Sequence, residues 1–171
     1  MLLVLLGGCS VLPGGDDRSS AVIALAEAER APAPAILADT VEGSQLALAD
    51  LDGPVVLNFW ASWCGPCVGE APHLNAIAKA YADQGVRVVG VNAKDDLANA
   101  RSFEDRNRLD FPSWFDPDQS IAASFEGAAP TGLPTTLILD ADHHVAVRFL
   151  GGVTGASLTP YLDQVLAEGS G

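Results

Sequence analysis

The stretch VVLNFWASWCGPCVGEAP, Val55 to Pro72, constrains this chain more than any other. Val55–Trp60 is β-branched, aromatic and apolar without alternation, which predicts a central strand covered on both faces. A helical pattern follows from Cys64 to Asp83, with Val68, Ala71, Leu74, Ile77 and Tyr81 spaced by threes and fours. Gly85 ends it, and Val86–Val91 predicts a second buried strand. Downstream, the pattern predicts a polar helix over Leu97–Arg108 and a short helix within Asp116–Phe125. A strand over Thr135–Leu139, a turn over Asp140–His144 and an antiparallel strand over Val145–Leu150 come next, then a last helix over Ala156–Glu168. Helices after the first two strands and a hairpin later predict an α/β fold, a mixed central sheet with helices on both faces.

Two cysteines sit at the mouth of the first helix, Cys64 and Cys67, and the only other is Cys9. A helix N-terminus stabilises a thiolate at Cys64. Positions i and i+3 bring the two sulfurs near disulfide geometry with little backbone motion, which suits a reversible couple. Zinc needs further ligands, and no second cluster exists; His73, nine residues after Cys64, falls on the opposite helix face. A purely structural staple this short would constrain the unfolded chain very little. Glu70 lies about 60° around the helix from Cys67; exposed, it is ordinary, but desolvated it becomes a proton-exchange partner for that thiol. Pro72 is expected to bend the helix. A formal charge of −13 argues against nucleic acid as a partner.

The N-terminus, MLLVLLGGC, joins an apolar stub to small residues and Cys9. Its ending resembles the lipobox of bacterial lipoproteins, which implies lipidation of Cys9 and anchoring to a bacterial membrane outside the cytoplasm. The missing basic front is what a translation start upstream of Met1 would leave. With Cys9 lipidated, Cys64 and Cys67 are left to pair with each other. Residues 1–9 are thus expected to be a signal remnant, 10–34 a flexible tether and 35–171 the folded domain. Within the tether, Ala21–Arg30 has the composition of a short helix that the run APAPA then stops.

WCGPC after VVLNFWAS resembles thioredoxin, and WCxxCxxExP resembles the TlpA/ResA/CcmG group of membrane-tethered thiol-disulfide oxidoreductases. The resemblance runs from about Leu46 to the C-terminus. It implies a thioredoxin-like fold with an extra segment after the active-site helix, here Val91–Asp116. It makes Cys64 the attacking cysteine, Cys67 the resolving one and Glu70 the acid near them. Asn58 stands where thioredoxin has a buried aspartate. Pro134 matches the cis-proline facing the cysteines, and Leu133 would offer its backbone to an extended client. Trp63, Gly65 and Pro66 complete the implied client-binding surface. Asp142, His143 and His144 depart from the usual turn of the group.

No metal or organic cofactor is implied beyond the cysteines. The Gly65-Pro66 dipeptide is that of thioredoxin, a reductant near −270 mV, which favours electron donation to protein disulfides. A CcdA- or DsbD-like membrane protein is the implied electron donor, and apocytochrome c is one implied client. The competing readings are an oxidant of secreted proteins and a binding module for copper or a client chain.

Overall fold

The computed structural model describes residues 21–169; Cys9 and residues 10–20 of the expected tether lie outside them. The elements in chain order are β1 (Ala21–Ala24), β2 (Leu37–Asp39), β3 (Gln45–Ala47), β4 (Val55–Trp60), α1 (Gly65–Ala80) and β5 (Arg87–Ala93). They continue with α2 (Leu97–Asn107), β6 (Ser113–Asp116), α3 (Ser120–Ser124), β7 (Thr135–Leu139), β8 (Val145–Leu150) and α4 (Gly155–Glu168). A six-stranded sheet is ordered β1-β8-β7-β4-β5-β6, and β2 and β3 form a separate hairpin. β4 pairs in parallel with β5 and antiparallel with β7, so the sheet is mixed, as the order of elements predicts.

Alternation along β4 divides the core. Val56 packs with Leu74 and Ile77 of α1 and with Leu158, Leu162 and Val165 of α4. On the other face Val55, Leu57 and Phe59 pack with Trp114, with Ala122 of α3, and with Ile36 and Leu48. At the C-terminal end of β4, Trp60 gathers Ala61, Cys64, Cys67 and Ala100 and Phe103 of α2. Trp60 stacks on Phe103 at 4.4 Å between centroids and donates from Nε1 to Ser113 Oγ at 3.2 Å. Gly90 makes room for this: a Cβ there would meet Ser113 Oγ and Trp60 Nε1 inside van der Waals contact.

Three expectations need correction. Residues 21–34 are built into the domain rather than forming a tether, and Ala21–Arg30 holds a strand and a 3-10 turn rather than a helix. β1 runs antiparallel along β8 and satisfies an otherwise open sheet edge, where the prolines that follow are tolerated. Arg30 then fixes the segment, donating to Asp140 at 3.1 Å and Glu168 at 2.8 Å with its side chain only 4% exposed. β6 was not expected. Its four residues pair with β5 as the sheet's far edge, inside the extra segment. The first helix ends at Ala80, followed by a 3-10 turn over Ala82–Gln84 and Gly85 at φ 82°; it continues through Pro72.

The turn at Asp140–His144 forms as expected. Asp140 Oδ1 accepts from the backbone N–H groups of Asp142 and His144, and His143 takes the left-handed conformation at φ 58°. Arg30→Ala leaves two partly buried carboxylates without their cation and frees the β1 segment. A loss of about 2 kcal/mol, or roughly 4–8 °C in melting temperature, is expected by thermal unfolding.

Candidate active site

The buried strand β4 ends at Trp60, and a turn closed by Cys64 N–H to Ala61 O at 3.1 Å delivers the first cysteine to the head of α1. Cys64 is the N-cap of that helix, its sulfur accepting from the Cys67 N–H at 3.3 Å. Pro66 occupies the first turn, where no helical N–H is lost. Cys64 and Cys67 are joined as a disulfide with Cα atoms 5.3 Å apart. Both are buried, at 4% and 1% exposure, while Trp63, Gly65 and Pro66 around them are exposed.

Glu70 is 2% exposed, which discards the exposed-glutamate alternative. Its Oε1 accepts from Asn58 Nδ2 at 2.8 Å and its Oε2 from the Val153 N–H at 3.1 Å. Asn58 donates also to Thr136 Oγ1 at 3.1 Å, across the β4–β7 pairing. Burial raises the Glu70 carboxyl to about 7, and the bonds from Asn58 and Val153 only partly offset it. Three residues apart on one helix and both buried, Glu70 and Cys67 are neighbours. A carboxyl that titrates near neutrality can take a proton from a thiol and return it.

The Leu133–Pro134 peptide is cis. Leu133 packs against the cluster that holds both cysteines, and Thr135 pairs with Phe59 at the end of β4. A cavity of about 230 Å³ opens between Trp63, Lys94, Gln119 and Leu133. The sites singled out in the sequence therefore converge, apart from Cys9, which lies outside the described residues. Among the described residues no three His, Cys, Asp or Glu side chains stand together as a metal cluster.

Two contributors escaped the sequence. Val153 acts through its backbone and carries no residue-type signal. Asp95 bonds Ser62, two residues before Cys64, from the turn after β5; its one hint is its place beyond the carboxyl end of a strand, where such sheets bind ligands.

Residues 30–148 match the AhpC/TSA family. The chain belongs to that family. It is 33% identical over 134 residues to the thiol-disulfide oxidoreductase ResA of Bacillus thuringiensis, covering 78% of this chain and 76% of that one. Among solved structures it is similar to a DsbF homologue from Corynebacterium diphtheriae, at TM-score 0.79 and 34% identity over 91% of this chain and 97% of the other. A secreted thiol-disulfide isomerase from Corynebacterium glutamicum gives TM-score 0.80 and 33% identity, over 94% and 99%. The fold is thioredoxin-like, and this AhpC/TSA family member is a thiol-disulfide oxidoreductase with Cys64–Cys67 as its disulfide.

The raised carboxyl of Glu70 makes stability depend on pH. The folded chain binds its proton more tightly than the unfolded chain does. The Glu70 contribution to stability is therefore full below about pH 4.5 and is lost as pH rises to about 7, by on the order of 3 kcal/mol. Denaturant unfolding of the oxidised protein across that range should show the decline, and Glu70→Gln should remove it.

Proposed function

We propose that the protein donates electrons to disulfides of client proteins outside the cytoplasm, held to the membrane by a lipid on Cys9. The observation that carries the chemistry is a helix-capping disulfide with a buried acid of pKa about 7 one turn beyond it. The direction is supported by the Gly65-Pro66 dipeptide, the location by the lipobox-like N-terminus and by similarity to a secreted isomerase. Among the described residues no helix is long and apolar enough to cross a membrane.

In the reduced state, the Cys64 thiolate attacks one sulfur of the client disulfide. A mixed disulfide forms, and the displaced client thiolate takes a proton from solvent. Cys67 gives its proton to the Glu70 carboxylate and attacks the Cys64 sulfur. The second client thiolate leaves and is protonated, and Cys64–Cys67 closes. The client gains two electrons from the Cys64–Cys67 pair and two protons, one from solvent and one from Cys67 by way of Glu70. A CcdA- or DsbD-like membrane protein would restore the dithiol, with haem-site cysteines of apocytochrome c as one client class. No cofactor enters any step.

A second reading, disulfide formation in secreted proteins, is favoured by the similarity to a secreted thiol-disulfide isomerase. Here the same steps run in reverse. The midpoint potential decides between them: below about −230 mV supports donation, above about −180 mV supports oxidation. Cys67→Ser removes the resolving thiol, so a Cys64-linked mixed disulfide should accumulate on non-reducing gels in either direction. Its absence from cells expressing the variant would count against a protein client.

A further inference from the structure

The turn joining β5 to α2 is bonded to the turn that carries Cys64, and the exchange reaction itself uses none of these bonds. The Asp95 carboxylate accepts four hydrogen bonds, two of them from Ser62. Its Oδ1 takes Ser62 Oγ at 2.8 Å and the Asp96 N–H at 2.9 Å. Its Oδ2 takes Asn92 Nδ2 at 3.0 Å and the Ser62 N–H. Two donors on each oxygen make this a saturated, charge-assisted cluster. Burial opposes the charge, yet the bonds from Asn92, Ser62 and Asp96 hold the carboxyl below its ordinary range.

One residue earlier, Lys94 takes the left-handed conformation at φ 54°, and its carbonyl accepts from Trp63 Nε1 at 3.0 Å. Trp63 is 61% exposed, so packing alone does little to hold its ring. With Lys94, Gln119 and Leu133 that ring lines the cavity of about 230 Å³ beside the cysteines. This is below the roughly 300–1,000 Å³ of sites that enclose a small molecule, and nearer the scale of client side chains.

We propose that Asp95 is a positioning residue: by clamping Ser62 and the Lys94 turn it fixes the Trp63 indole as one wall of the groove that receives a client polypeptide beside its disulfide. This rests on the reading of protein disulfides as substrate. An exposed indole left free would lose rotamer entropy on each client encounter, and the clamp removes that cost beforehand. A small disulfide that does not span the groove gains little from the wall. The signature is therefore a change in KM for a protein disulfide, larger than any change in kcat or in reaction with a small disulfide.

Asp95→Asn keeps the size but turns an NH₂ group toward two donors, which breaks the clamp. Ser62→Ala removes one bond and leaves the carboxylate in place. The full-length protein is assayed with insulin and with an aromatic small-molecule disulfide, and its indole N–H signals are followed by ¹⁵N NMR. The Trp114 indole donates to Leu46 O, with no bond to the clamp residues, and serves as the internal reference.

For Asp95→Asn, KM for insulin should rise about tenfold, as loss of a hydrogen bond to a charged group implies, with kcat within about threefold. The small disulfide should slow by less than about threefold, and the Trp63 indole signal should move while that of Trp114 does not. Ser62→Ala should shift both readouts the same way by less. Equal loss on both substrates, an unchanged KM, or an unmoved Trp63 signal overturns the proposal. If Asp95→Asn does not fold, Ser62→Ala decides by the same criteria. Failure of the wild-type protein to turn over insulin refutes the reading of its substrate, and this proposal with it. Failure of the clamp alone leaves wild-type turnover intact.

Discussion

Burial of β4 on both faces is the constraint from which the rest of the structure follows. All six of its residues are buried, and only Asn58 among them carries a polar side chain. A strand so placed must be central, must have helices or loops laid over both faces, and must end abruptly where the chain leaves the sheet. The turn at that exit is short, so the next residues enter α1 while still at the sheet's carboxyl edge. Cys64 is thereby set at a helix head with free N–H groups, beside Leu133 of the loop that enters β7. The redox pair owes its location to the hydrophobic effect acting some residues away from it.

Polar groups inside this core are arranged so that one is left uneasy. Asn58 can satisfy a carboxylate oxygen and a threonine hydroxyl without carrying charge, and Val153 adds a backbone donor. Two neutral donors meet the directional needs of Glu70 but do not replace the water it has lost. An arginine in place of Asn58 would have settled the carboxylate in its ionised form and removed it from proton transfer. The asparagine keeps the acid balanced between its two forms. Asp116 offers the contrast: it is equally buried, but it caps α3 through Ile121, Ala122 and Ser120, a structural task.

The central strands, the long helices and the cysteine-bearing turn were legible because periodicity and punctuation there agree with the tertiary environment. So were the β7–β8 hairpin and its Asp140–His144 turn. The edges were not. β1 is exposed at all four residues and β6 has only four, so neither shows a period that can be separated from loop. Their existence is decided by the open backbone of β8 and β5, a partner far along the chain. The role of Glu70 shows the same limit. Its spacing from Cys67 was readable, but the donor to its second oxygen, Val153, comes eighty-three residues later. Asp95 was silent because an acid in a loop after a strand is common, and two of its four donors come from Ser62, thirty-three residues earlier.

The register of β1 has a consequence for the geometry of attachment. Ala21 pairs with Leu150, Leu150 with Thr135, and Thr135 with Phe59, one residue before the end of β4. Three strand spacings, about 15 Å, therefore separate the point where the described chain enters the sheet from the strand that leads to the disulfide. The chain enters at the catalytic pole of the molecule, not at its back. For a protein held at Cys9, the twelve intervening peptide units span at most about 43 Å. Such a leash would keep the redox pole near the bilayer surface, within the reach of a membrane-embedded partner and poorly placed for one far out in solution.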